Sequence, residues 1–322
     1  TEALIKALDE GLLAGAALLA ACGNEGSGTN VQDDAFYDER DTIVIGSLYA
    51  NSGAYTAYGQ PQTNAVQLAF EEINAAGGIK GKQIELVEYD YSSDEQEASS
   101  LSTRLATEDE VNIIIGPDTS GSALAALQQA AQYNIPLLSP SASLDSFTLD
   151  SSGEVVDTAW RIAYSDSYQG EALATFAAEE FGATKAAILG DNSSDYAVGL
   201  VNTFEATFAG DIVIKENFTA DETDFSAVLT NIAGQDFDVL FVPGYYEQAG
   251  PIIKQAREMG ITQPILGPDG FGNNQLYELA GKANLNDVYY TTQFSSLSKE
   301  AHVQDFLAKY EEKFGQPADM FA

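Results

Sequence analysis

Hydroxyls, tyrosines and a few acids gather in five short polar segments of this chain. They are Gly116-Pro117-Asp118-Thr119-Ser120-Gly121, Ser139-Pro140-Ser141-Ala142-Ser143, Gly190-Asp191-Asn192-Ser193-Ser194-Asp195-Tyr196, Pro243-Gly244-Tyr245-Tyr246 and Gly267-Pro268-Asp269-Gly270. The first two offer small hydroxyls and backbone N–H groups, the first of them just ahead of a helical pattern. Free donors and the helix dipole favour an anion such as a carboxylate there. The other three offer tyrosines and Asp269, which suit a cation joined to an apolar body. A carboxylate at one side and an ammonium at the other describe an α-amino acid. Singly, each residue has a plainer role: Ser120 and Ser143 equally suit helix N-caps, and the prolines suit turns. Asp269 equally suits a solvated loop, and Tyr196, Tyr245 and Tyr246 a surface or core position. The amino-acid reading rests on complementary chemistry at five places together.

Each segment follows a predicted strand. Residues 42–48 (TIVIGSL) form a β-branched run, and residues 61–76 a helix with Ala65, Leu68, Ala69 and Ile73 on one face, stopped by Gly77-Gly78. Strands at 83–89, 111–115 and 135–138 alternate with helices over 94–107 and 122–133. After a loop around Trp160-Arg161 the rhythm restarts, with strands at 185–189, 211–214, 239–242, 264–266 and 288–292. Continuous apolar strands between amphipathic helices predict parallel sheets covered on both faces. The interruption near 150–165 favours two doubly wound lobes over one closed barrel. Ligands of such sheets bind outside the carboxyl ends of the strands, where the five segments lie.

Composition removes other functions. Forty-nine acids against 14 Lys+Arg leave a net charge of −35 over 322 residues, too few cations to neutralise a nucleic acid backbone. One Cys forms no internal disulfide, and the lone His302, in a predicted surface helix, builds no multi-His metal site. No cofactor or metal is expected. The acids, Asp269 apart, are expected to form a solvated surface that keeps an exported protein soluble. No G-x-G-x-x-G follows the first strand, and there is no G-x-S-x-G elbow for an enzyme.

The run from Gly11 to Ala21 is too short to span a bilayer, which needs about 20 apolar residues, and fits the core of an export signal. It ends in Leu19-Ala20-Ala21-Cys22-Gly23, which resembles the lipobox of bacterial lipoproteins. That resemblance implies a signal segment over 1–22 and a lipid anchor on Cys22. The absence of Met and the acids Glu2, Asp9 and Glu10 depart from its pattern. Residues 23–41 read as a flexible Gly/Ser/Asn/Asp-rich linker.

From Thr42 onward the chain resembles the branched-chain amino acid binding proteins of ABC importers, of the type I periplasmic-binding-protein fold. The markers are Ser52-Gly53 with Tyr58-Gly59, Glu72-Ile73-Asn74-Ala75-Ala76-Gly77-Gly78-Ile79, Gly81-Lys82 and the five segments above. Asp191-Asn192 with Tyr196-Ala197, Thr223-Asp224-Phe225, and Gln255-Ala256-Arg257 with Gly260 add to them. The resemblance implies two lobes joined by a hinge, over 42–161 and 162–292, with 293–322 returning to the first. It implies that Ser120 gives its hydroxyl and N–H to the ligand carboxylate. The segment Ser141, Ala142 and Ser143 supplies a carbonyl to the ammonium and donors to the carboxylate. Asp269 takes the ammonium, Tyr196 and Tyr245 close over the ligand, and Tyr58 lines its side-chain pocket. Asp118, awkward beside a carboxylate, is expected to point to solvent. The family also runs on past Ala322, so C-terminal residues are expected to be missing.

The expected function is therefore non-catalytic. A monomeric receptor, lipid-anchored to the outer face of a bacterial cell membrane, captures a Leu/Ile/Val-class L-amino acid and delivers it to an ABC permease. A ligand-sensing receptor domain on the same fold, or a binder of another small amino acid or amide, are the alternatives.

Overall fold

Residues 40–322 are described in a computed structural model of the chain. The signal segment 1–22, Cys22 and all but the end of the 23–41 linker lie outside the described residues. The described residues divide into two compact units, 44–68 with 85–322, and 40–43 with 69–84.

The larger unit carries two parallel sheets, apart from the first two residues of β1 and of β2. The first is built from β1 (Thr42–Tyr49), β2 (Gln83–Asp90), β3 (Ile113–Ile115), β4 (Leu137–Ser139) and β5 (Ala159–Arg161), in the order β2-β1-β3-β4-β5. The second holds β6 (Lys185–Asp191), β7 (Asp211–Phe218), β8 (Val239–Phe241), β9 (Ile265–Gly267) and β10 (Val288–Tyr290), in the order β10-β9-β8-β6-β7. Numbered from its own first strand, each sheet has the same 2-1-3-4-5 order, that of a doubly wound sheet. Each therefore reverses its winding between its first and third strands, and the crevice for a ligand opens there, beyond the carboxyl ends.

Burial explains the strand compositions. β3, β4, β8 and β9 are short apolar runs, almost wholly buried. The edge strands β2 and β7 mix exposed and partly buried residues, and β2 exposes Glu85, Glu88 and Asp90, which discourages pairing with another chain. One core gathers Leu48, Ile114, Leu137 and Phe147 around the first sheet. Another gathers Ile188, Phe204, Leu240 and Phe241 around the second, and Tyr58 joins it. The helix Ala301–Phe314 places Tyr310 against Leu68, and the Asn64 side chain donates to the Tyr310 hydroxyl at 3.2 Å.

The smaller unit is a turn built on Asn74. Its amide donates to the Ile84 carbonyl at 2.9 Å and accepts from the Ile84 N–H at 2.7 Å, while Gly77 and Gly78 turn the chain at positive φ.

Two expectations need correction. Trp160 and Arg161 are not loop residues: Ala159–Arg161 is β5, paired in parallel with Leu137, Leu138 and Ser139. Three residues are too few to show a period, so pairing rather than pattern makes this strand. The first helix begins at Thr56, not Pro61, and carries the proline in its second turn. The sequence placed Pro61 where prolines are best tolerated, at the first helical position.

The stacked pair Phe204 and Phe241, with centroids 4.3 Å apart and both rings fully buried, tests the second core. Phe241→Ala is expected to cost about 3–5 kcal/mol. Urea unfolding should show a lower midpoint at unchanged slope, and a loss under 1 kcal/mol would contradict this packing.

Candidate functional site

β3 is followed by Gly116, where φ is +100° and a Cβ would lie 2.1 Å from the Leu48 carbonyl oxygen. Only glycine fits, and it turns the chain through Pro117-Asp118 into the helix Ser120–Ala130. Thr119 is the N-cap but makes no side-chain cap bond, so Ser120 is the first helical residue rather than the cap. The Ser120 Oγ instead accepts from the backbone N–H groups of Ser143 at 3.2 Å and Leu144 at 3.3 Å. Both of its acceptor positions face those amides, which leaves its own proton free to donate. The turn after β4 is fixed by hydroxyls as well. Ser139 Oγ donates to the Pro117 carbonyl at 2.6 Å, Ser141 Oγ donates to the Asp118 carbonyl at 2.7 Å, and Gln62 Nε2 donates to Ser141 Oγ at 2.8 Å.

Asp269 opens the short helical turn that follows β9 and is 3% exposed. The Tyr196 hydroxyl donates to its Oδ1 at 2.5 Å, and Gln293 Nε2 donates to its Oδ2 at 3.1 Å. Its backbone N–H donates to Gln169 Oε1 at 3.0 Å. Burial raises the Asp269 carboxyl above the usual range, and these hydrogen bonds pull it back. Burial also raises Tyr196 well above its ordinary value, so its proton stays in place to be donated.

The aromatic wall joins elements that follow β1, β6 and β8. Tyr196 and Tyr245 stack at 4.9 Å and 12° between planes, and Tyr58 lies 5.8 Å from Tyr245. The Tyr58 hydroxyl donates to the Gly270 carbonyl at 2.6 Å and accepts from the Tyr246 N–H at 3.2 Å. One cavity is lined by Tyr58, Ser120, Ser141, Ser143, Tyr196, Tyr245 and Asp269. Of the residues expected from sequence, Ala142 alone stays behind this wall: it is fully buried, and its N–H donates to Ser139 Oγ at 2.9 Å. His302 lies on the exposed end of the last helix, 3.4 Å from Glu300.

Asp118 contradicts its expectation. It lines the cavity, is 4% exposed, and accepts from the Ala50 N–H at 2.9 Å through Oδ1. The β1–β3 crevice turns it inward, because Ala50 continues past the end of β1 with an N–H that needs an acceptor. Burial pushes this carboxyl up to about 7. Phe321, Thr119 and Gly270 complete the wall. Behind it Asp166 is fully buried, and burial raises it well above the usual range, with Asp269 and Asp145 adding and Arg161 opposing. None of Asp166, Gln169 and Gln293 stood out in the sequence, since each acts through a neighbour far away along the chain. Asp118 had a signal, its place in the first polar segment.

No group of His, Cys, Asp and Glu among the described residues is arranged to hold a metal ion. No helix among them is long and apolar enough to cross a membrane.

Asp118, Asp166 and Asp269 hold protons more tightly folded than unfolded. Their stabilisation is full below the ordinary carboxylate range and is lost as pH rises through the folded values, for Asp118 through about 7. Thermal unfolding from pH 5 to pH 8 should therefore show a falling midpoint. Asp118→Asn should flatten that fall, and an equal slope in both proteins would contradict the burial of a titrating Asp118.

A family model described as periplasmic binding protein matches residues 42–322. Among curated proteins, the Leu/Ile/Val-binding protein BraC3 of Rhizobium johnstonii is 29% identical over 262 residues, 80% of this chain and 70% of that one. Among solved structures, the branched-chain amino acid transporter substrate binding protein LivJ of Streptococcus pneumoniae, in complex with isoleucine, is 40% identical. It superposes with a TM-score of 0.82 over 87% of this chain and 79% of that one. A leucine binding protein, LivK, of Thermotoga maritima is 27% identical, with a TM-score of 0.80 over 87% and 78%.

Proposed function

The chain belongs to the periplasmic binding protein family, and from that premise we propose that it is an extracytoplasmic receptor for a branched-chain L-amino acid. It captures its ligand between the two sheets' carboxyl ends and delivers it to an ABC permease. It performs no catalysis, acts as a monomer, and is held to the outer face of the membrane through lipid on Cys22.

One observation carries the reading. A buried carboxyl and an open helix N-terminus share a single cavity walled by tyrosines. A zwitterion enters such a site only if both of its charges find partners, since an unpaired buried charge costs several kcal/mol. Asp269 takes the ammonium. Ser120 gives its free proton and its backbone N–H to the carboxylate, with Ser143 beside it. Tyr58, Tyr196 and Tyr245 surround the side chain with apolar faces, while the Tyr58 and Tyr196 hydroxyls stay bonded to Gly270 and Asp269. The Tyr58 hydroxyl, bonded to Gly270 and Tyr246 across the cavity mouth, latches the closed form. The relatives named for leucine, isoleucine and valine support the ligand class.

Calorimetry should show saturable binding of L-leucine, L-isoleucine and L-valine and none of their D-enantiomers. Asp269→Ala should weaken binding at least 100-fold with an unchanged circular dichroism spectrum, because the ammonium would lose its counter-charge. Retained affinity would move the site elsewhere. Tyr58→Phe keeps the ring and removes the latch, so affinity should fall several-fold through faster release. An unchanged dissociation rate would refute the latch.

A further inference from the structure

The cavity wall holds one acid that an amino-acid zwitterion does not use. Asp269 and the Ser120 helix end are allotted to the two charges, yet Asp118 lines the same space and is almost completely buried. Its Oδ1 is occupied by the Ala50 N–H, while its Oδ2 has no hydrogen-bond partner. No donor of the surrounding elements reaches that oxygen at full hydrogen-bond distance, although the Tyr91 hydroxyl is near enough to lower the carboxyl. The Tyr49 hydroxyl, at the end of β1, is itself buried and without a partner. The Tyr91 hydroxyl, just past β2, is drawn toward the carboxyl but lies 3.4 Å from Thr119 Oγ1. Asp90, beside it, adds only a like charge.

A wholly apolar ligand side chain would leave this oxygen buried and unsatisfied, which native structures seldom tolerate. A ligand hydroxyl would satisfy it. Because the carboxyl titrates near neutrality, both its forms are available, and a hydroxyl bonds either one as donor or acceptor.

We propose that Asp118 sets the side-chain preference of the site: its free oxygen bonds a hydroxyl on a β-branched ligand, so that L-threonine is taken ahead of its isostere L-valine. This rests on the reading of the cavity as an amino-acid site. The two ligands share shape and volume and differ at one methyl against one hydroxyl. A pocket built to bond that hydroxyl rejects the analogue lacking it far more strongly than an apolar pocket rejects an added one.

The test is calorimetry on the full chain at pH 7 with L-threonine, L-valine, L-isoleucine and L-leucine. Threonine should bind at least tenfold tighter than valine. In Asp118→Ala the ratio should fall to one or below, and Asp118→Asn, which keeps an acceptor for Ala50, should hold a preference for threonine. Valine equal to or tighter than threonine in the unaltered protein would overturn the assignment and leave the amino-acid site standing. Binding of none of the four would overturn both. The unaltered chain decides the matter even if a variant fails to fold.

Discussion

The burial of the Asp269 carboxyl constrains everything around it. A carboxylate removed from water is stable only when its oxygens are bonded, and here Tyr196 and Gln293 each supply a donor. Tyr196 must then stand in one orientation, and its hydroxyl also accepts from the Gly270 N–H at 3.1 Å. Stacking fixes Tyr245 against Tyr196, and Gly270 presents its carbonyl to Tyr58. A chain of bonds thus runs from the turn after β9 to the helix after β1. Each member is placed by the need to keep one acid satisfied. The acid remains short of a cation, which the ammonium of the proposed ligand would supply.

Topology brings these residues within reach of one another. The two winding reversals put the segments after β1 and β3, and those after β6 and β8, at the crevices of their sheets. Tyr58, Asp118 and Ser120 come from the first reversal, Tyr196 and Tyr245 from the second. Asp269 and the serines after β4 come from the next strand along in each sheet. Short buried strands such as β3 and β8 hold these ends rigidly, because a one-residue slip would expose their apolar runs.

Most of this was legible in the sequence, for an identifiable reason. Strands and helices announce themselves by period, and polar segments after apolar runs mark the ligand end of a parallel sheet. Seven of the residues named from those segments and from the family resemblance share one cavity. What escaped was decided by pairing and burial. β5 has three residues and no period, so only its hydrogen bonds to β4 reveal it. Asp118 was judged by its charge, yet the unpaired Ala50 N–H and the depth of the crevice turned it inward. Gln169 and Gln293 stand 100 and 24 residues from Asp269, and no local signal marks a residue that works at such separations.

The claim at the centre is that one cavity takes both charges of an amino acid, the ammonium on Asp269 and the carboxylate on the Ser120 helix end. A crystal structure grown with L-isoleucine addresses it most directly. The account predicts the ammonium within about 3.2 Å of the Asp269 carboxyl and the carboxylate bonded to the Ser120 N–H and hydroxyl. Isoleucine bound with its ends reversed, or at a place that Asp269 does not touch, would contradict it.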